Sequence, residues 1–126
     1  MIVGIGVDIV EISRFDRFVQ EENQILLDRL FTKREQGYCF AHRYSGQHFA
    51  LRFAAKEAML KALGTGLRDG MTWLDMEIVN NSMGKPEIVM TGKVSERYVA
   101  SGGTACHLSL SHDAGSAVAM VILEAL

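Results

Sequence analysis

Residues 2–10 alternate: Val3, Ile5, Val7 and Ile9 fall on one side of an extended chain, and Gly4, Gly6 and Asp8 on the other. That period predicts a strand with one apolar face and one face that is bare except for a carboxylate. Glycine inside a strand admits close approach of another element or of a ligand. Ser13-Arg14-Phe15-Asp16 reads as a helix start, with Ser13 as cap and Asp16 in the first turn. Ile25 to Phe31 reads as a short apolar helix. Thr32-Lys33-Arg34-Glu35 is a capping box that opens another helix through Tyr38 and Phe40. The longest helix starts at Ser45-Gly46-Gln47-His48 and runs to Leu63, where Gly64-Thr65-Gly66 stops it. Ala50, Ala54, Ala55, Ala58 and Ala62 make this helix narrow, and the bare glycine face of the first strand is its natural partner.

From Thr72 to Val79, Leu74, Met76 and Ile78 alternate as a strand. Asn80 to Pro86 is a turn, and Glu87 to Met90 returns as the hairpin partner. Val94 and Tyr98, four apart, mark a further helix. Cys106, Leu108 and Leu110 alternate with His107, Ser109 and Ser111, and a turn at Asp113-Ala114-Gly115-Ser116 leads into a last strand, Ala117 to Leu123. The fold class is α+β: a small, largely antiparallel sheet packed against one long central helix. No repeat or linker divides the chain, which reads as one domain over residues 1–126.

Composition adds exclusions. With 48% hydrophobic and 22% charged residues and a single Pro, the 126-residue chain has globular composition, not that of a disordered one. Its net charge of −2 argues against general binding to nucleic acid. No apolar run approaches the ~20 residues that span a bilayer, and the N-terminus lacks the basic start of a signal peptide. Cys39 and Cys106 form no CxxC and read as reduced thiols of a cytoplasmic protein. One stretch departs from the global balance: between Arg43 and Arg68, five cations (Arg43, Arg52, Lys56, Lys61, Arg68) face one acid, Glu57. A focused positive region on an acidic chain suits a discrete polyanion.

Phe53, Glu57 and Lys61 are four apart and stack on one face of the long helix. Glu57 followed by Lys61 is also the order of an ordinary surface ion pair. Asp8 changes the balance: if the alanine face packs on Gly4 and Gly6, Asp8 lies close to Glu57. Two carboxylates brought together repel unless a cation sits between them. A small oxygen-only ligand set suits Mg²⁺, which keeps waters and takes up substrate phosphates. Lys61, one turn on, reaches a phosphate oxygen. Gly4-Ile5-Gly6 lacks the third glycine of a dinucleotide fingerprint, and Gly64-Thr65-Gly66 lacks the Gly-Lys-Ser/Thr of a P-loop.

Gly6-Val7-Asp8-Ile9-Val10-Glu11-Ile12 with Arg14 and Phe15 resembles the opening of bacterial holo-acyl-carrier-protein synthases. Arg52-Phe53-Ala54-Ala55-Lys56-Glu57-Ala58 with Lys61-Ala62-Leu63-Gly64-Thr65-Gly66 resembles their central signature. Gly84-Lys85-Pro86 and His107-Leu108-Ser109-Leu110-Ser111-His112 follow in the family's order. The resemblance covers essentially the whole chain and implies the short type of the 4′-phosphopantetheinyl transferase fold, working as a homotrimer with sites between neighbours.

It also implies a reaction: transfer of the 4′-phosphopantetheine arm of coenzyme A to a serine of apo-acyl carrier protein, for fatty acid biosynthesis, with adenosine 3′,5′-bisphosphate leaving. By the same resemblance Asp8 and Glu57 hold Mg²⁺, and Lys61 touches phosphate and belongs to the catalytic set. Arg43 or Arg52 meets the 3′-phosphate, and Gly84, Lys85, Pro86 and His107 line the coenzyme cleft. The serine proton goes to Glu57 or to a metal-held water. Arg14, Phe15, Arg17 and Phe18 would dock the carrier, although Gln20-Glu21-Glu22 dilutes the basic surface that this helix often has in the family. Two other readings stay open: a coenzyme A-binding oligomer without catalysis, and a structural oligomer with a surface Glu57–Lys61 pair.

Overall fold

A computed structural model of the chain describes residues 1–126. Strand β1 (Ile2–Glu11) leads into helices α1 (Ile12–Gln20), α2 (Gln24–Leu30), α3 (Lys33–Phe40) and α4 (Ser45–Leu63). A single 3₁₀ turn (Trp73–Asp75) precedes the hairpin of β2 (Met76–Asn80) and β3 (Pro86–Met90). Helix α5 (Gly92–Ala100) and the hairpin of β4 (Ala105–Asp113) and β5 (Ser116–Glu124) close the chain. The strands form two antiparallel sheets, one ordered β1-β5-β4 and the other β2-β3.

Helix α4 runs through the middle. It packs on β1, β5 and β4 on one side and on α1, α3 and β2 around the rest, so it is buried nearly all round. Its fit to β1 depends on side chains that are missing. A Cβ on Gly6 would collide with the Ala58 carbonyl oxygen and stand 2.7 Å from the Ala62 nitrogen. A Cβ on Gly4 would collide with the Ala62 carbonyl oxygen. Glycine on the strand and alanine on the helix thus bring two backbones together, as the sequence pattern predicts. Gly64, in the left-handed conformation at φ 75°, ends the helix.

Two local expectations shift. Helix α1 starts at Ile12 after Glu11, and no side chain caps it, so Ser13 is not its N-cap. Residues 73–75 wind into a 3₁₀ turn instead of extending, because Asp75 accepts from the Thr72 backbone and hydroxyl at 3.2 and 3.1 Å. Leu74 therefore leaves the strand pattern, which begins at Met76. The apolar face of β1 turns away from α4, as the packing of its glycine face on the helix requires. The inward positions of the large sheet are Gly6 and Asp8 on β1, paired with Val121 and Ala119 of β5. Ile5, Val7 and Ile9 point outward and are 61%, 52% and 66% exposed, beside Met120, which is also exposed.

Candidate active site: two half-sites on opposite edges

Asp8 sits on edge strand β1 where the glycines have drawn α4 close. Lys61 Nζ donates to Asp8 Oδ1 and to the Val7 carbonyl, both at 3.0 Å. Lys61 therefore turns to Asp8 across the strand, and the surface Glu57–Lys61 pair is replaced by this link. Glu57, one turn earlier on α4, has its carboxyl pushed above the ordinary carboxylate range. Burial is the main cause and the neighbouring Asp8 carboxylate the second, partly opposed by Lys61 and Arg14. The cluster thus holds two mutually repelling carboxylates and one ammonium. No third carboxylate, histidine or cysteine joins them. Such a donor set fits a hard divalent cation that keeps open positions for water and phosphate oxygens.

Phe53, one further turn back, forms an aromatic wall with Phe15 at 5.3 Å and Trp73 at 5.1 Å between ring centroids. The Arg14 guanidinium lies 5.8 Å from the Phe53 centroid. Burial takes Phe15 out of the docking surface expected on α1. Phe15 is wholly buried, and Phe18 packs edge-on against it at 5.2 Å. Phe15 serves the core, while Arg14 and Arg17 remain on the surface.

The second cluster lies on the opposite flank of α4. Arg52 is only 4% exposed. Its guanidinium stands 4.0 Å from the centre of the Tyr38 ring, and Nη2 donates to Asn80 Oδ1 at 2.9 Å. Its Nε is buried with no partner. A cavity of about 340 Å³ opens here, lined by Tyr38, His48, Arg52, Asn80, Lys85, Pro86 and β4 at Leu108–Leu110, with no carboxylate among the lining residues. The β2–β3 turn is held by asparagines. Asn80 Nδ2 donates to the Gly84 carbonyl at 2.9 Å, Asn81 Oδ1 accepts from the Met83 and Lys85 amides, and Gly84 takes φ 84°. On the far side of Lys85 and Pro86, a second cavity of about 310 Å³ includes His107, whose Nε2 is 3.0 Å from Glu124 Oε1.

The structure therefore brings Asp8, Glu57 and Lys61 together, and separately Arg52, Lys85 and Pro86, with His107 next door. It does not bring Arg43 to Arg52. Arg43 precedes α4, lies against Tyr44, and lines a cavity of about 180 Å³ with Asp16 and Gly46 beside α1. Arg52 and Glu57, five residues apart, point about 140° apart around the helix axis. Edge strands β1 and β4 are separated by β5, hence by about 10 Å. Tyr38, Asn80 and His48 were not singled out in the sequence. Tyr38 and Asn80 come from other elements, and only the four-residue step from His48 to Arg52 could have hinted at a shared face.

Comparison with known proteins identifies the family and the fold. The sequence profile of the 4′-phosphopantetheinyl transferase superfamily matches residues 4–119. The holo-[acyl-carrier-protein] synthase of Geobacter sp. (strain M21) is 60% identical over 124 residues, covering 98% of this chain and 99% of the relative. That of Geotalea daltonii is 61% identical over 124 residues, with the same coverage. Among solved structures, the holo-[acyl-carrier-protein] synthase of Neisseria meningitidis superimposes with a TM-score of 0.87 at 33% identity, over 98% of this chain and 99% of that one. The enzyme of Bacillus anthracis, solved in complex with CoA (3′,5′-ADP), gives 0.81 at 34% identity over 100% and 99% of the two chains. With a profile spanning nearly its whole length and relatives this similar from end to end, the chain belongs to the 4′-phosphopantetheinyl transferase superfamily.

Proposed function

We propose that this protein, acting as one domain in the cytoplasm, transfers the 4′-phosphopantetheine group of coenzyme A to a serine of apo-acyl carrier protein, for fatty acid biosynthesis. The observation that carries the reading is the cluster of Asp8, Glu57 and Lys61, held at one edge of a fold shared with holo-[acyl-carrier-protein] synthases. The serine Oγ forms a bond to the β-phosphorus of coenzyme A. The bond from that phosphorus to the bridging oxygen breaks, and the electron pair leaves with adenosine 3′,5′-bisphosphate.

Phosphoryl transfer of this kind needs positioning and charge neutralisation more than covalent catalysis. Asp8 and Glu57 would hold Mg²⁺, which supplies neutralisation of the pyrophosphate and of the leaving phosphate. Lys61 has three donors and spends two on Val7 and Asp8. The third is free for a phosphate oxygen. The serine proton is taken by the Glu57 carboxylate, whose proton affinity is raised, or by a water beside it. Arg52, Lys85, Pro86 and His107 would receive the nucleotide end of coenzyme A, and Arg14 and Arg17 an acidic carrier.

Incubation with coenzyme A, Mg²⁺ and an apo-carrier tests the whole. The carrier should gain the mass of one phosphopantetheine arm. Binding of coenzyme A without that gain would leave only a binding module. Within this reading, Arg52→Ala should weaken coenzyme A by about 10-fold or more, as expected for a charge-assisted contact, and leave 3′-dephospho-coenzyme A unaffected. Equal losses for both ligands would remove Arg52 from the 3′-phosphate.

The half-sites at opposite edges support a shared site. When the β1 edge of one copy faces the β4 edge of the next, the contact is head-to-tail, the kind that generates a ring when its rotation closes. The outward Ile5, Val7 and Ile9 offer such a ring an apolar surface to bury. We take the ring to be a trimer. Val7→Asp should convert particles of three times 13.9 kDa into single chains in light scattering and abolish transfer. A wild-type protein that is a fully active monomer would end the shared-site reading.

A further inference from the structure

His48 lies one helical turn before Arg52 and lines the same cavity, outside the segments that carry the family resemblance. We propose that His48 is a proton-accepting ligand for the 3′-phosphate of coenzyme A, binding that group as an imidazolium beside Arg52 and so making recognition of it pH-dependent. This rests on the reading that the Arg52 cavity takes the phosphorylated ribose.

The geometry supplies three arguments. First, every element packed around the ring presents cations or neutral groups. Helix α3 brings Tyr38, with its ring centroid 5.6 Å away and edge-on, and the turn after it brings His42 at 4.5 Å. Helix α4 brings Arg52, the β2–β3 turn brings Lys85 and Asn80, and β4 brings Ser109 to the cavity. His112 of β4 also faces it, held at 3.3 Å by Gln47. Second, no carboxylate lines the cavity, so nothing in the free protein stabilises a charged His48. Its proton affinity is lowered by burial first, then by His42, Arg52 and His112. Third, the ring cannot turn away freely. It is wedged against Tyr38 and His42, and the His42 Nδ1–H donates to the Tyr38 carbonyl at 2.7 Å, fixing that partner. A phosphate dianion set against Arg52 would reverse the local potential. The ring that was held neutral then gains a charged acceptor and takes up a proton.

The test uses the wild-type protein. The Hε1–Cε1 resonance of His48, identified by its loss in His48→Gln, is titrated by NMR in the free protein and with saturating adenosine 3′,5′-bisphosphate or 3′-dephospho-coenzyme A. With the bisphosphate, the midpoint should rise by about one pH unit, a tenfold tighter hold on the proton. With the dephospho ligand it should not move. In parallel, affinity for coenzyme A should fall with rising pH by up to about tenfold more in wild type than in His48→Gln. The second ionisation of the phosphate is common to both proteins and cancels.

An unmoved His48 midpoint, with Arg52→Ala still discriminating the two ligands, would overturn the role of His48 and leave the cavity's assignment standing. If Arg52→Ala fails to discriminate as well, the cavity is not the phosphate site. Should His48→Gln fold poorly, the wild-type titration with the two ligands decides alone, the resonance then being identified by sequential assignment.

Discussion

Asp8→Asn and Glu57→Gln should each reduce transfer of the phosphopantetheine arm by more than the roughly 10- to 100-fold typical of losing a residue that merely orients a metal ligand. Each removes one of only two carboxylates in the cluster. Stability separates this loss from simple unfolding, and for Glu57 its direction follows from linkage. The folded protein holds the Glu57 proton more tightly than the unfolded chain does. The stabilisation that goes with that proton is fully present below the ordinary carboxylate range. It is lost as pH rises through the raised folded value. At neutral pH the ionised Glu57 therefore sits unfavourably beside Asp8. Glu57→Gln should raise the melting temperature of metal-free protein at pH 7, and the advantage should vanish in acid.

Mg²⁺ should protect wild type against heat in proportion to its occupancy, and should protect neither variant. Equal protection of all three proteins, or near-normal turnover in either variant at limiting Mg²⁺, would dissolve the metal assignment. Asp8→Asn carries a second consequence, because it also removes the acceptor that holds Lys61 at 3.0 Å. Its activity loss should therefore be at least as large as that of Glu57→Gln.

What the sequence revealed and what it hid divide along a physical line. Local and periodic signals were legible: the bare face of β1, the alanine stripe, the Thr32–Glu35 capping box (both of its hydrogen bonds form) and the glycine stop after Leu63. Together they put Asp8 beside Glu57, because only one strand and one helix are narrow enough to meet. Pairings set by distant elements were not legible. The five cations between Arg43 and Arg68 form no single patch. Arg43 lies by α1, Arg52 lines the cavity and Lys61 crosses to Asp8. Lys56 disappears into the core toward Glu35, 21 positions upstream. No periodicity links those two residues. The orientation of β1, by contrast, was legible: alternation gives two faces, and the glycines marked the one that could accept α4, leaving Ile5, Val7 and Ile9 outward.

Lys56 carries the largest expected effect on stability. It is fully buried, and its Nζ donates to Glu35 Oε1 and the Leu30 carbonyl at 2.7 Å and to the Trp73 carbonyl at 3.2 Å. Glu35, equally buried, accepts from the Thr32 amide at 2.9 Å and from the Ile78 amide at 3.0 Å. The pair thus ties the end of α2, the start of α3, the 3₁₀ turn and β2 to the flank of α4 that carries Arg52. Burial lowers the proton affinity of Lys56, and the Glu35 carboxylate opposes that shift. Neither charge is tolerable without the other. Lys56→Met keeps the stem but strands the Glu35 carboxylate, a loss of about 3–5 kcal/mol for breaking a buried pair. Against a total of about 5–15 kcal/mol for a typical domain, that is a large share. Urea unfolding should show a much lower midpoint, and Glu35→Gln should show a comparable drop. Lys56→Met combined with Glu35→Gln should cost less than the sum of the single changes, because the second change removes the charge that the first left stranded. Strictly additive costs would mean that the two side chains stabilise the protein independently, and the account of α4 as pinned by this pair would be wrong.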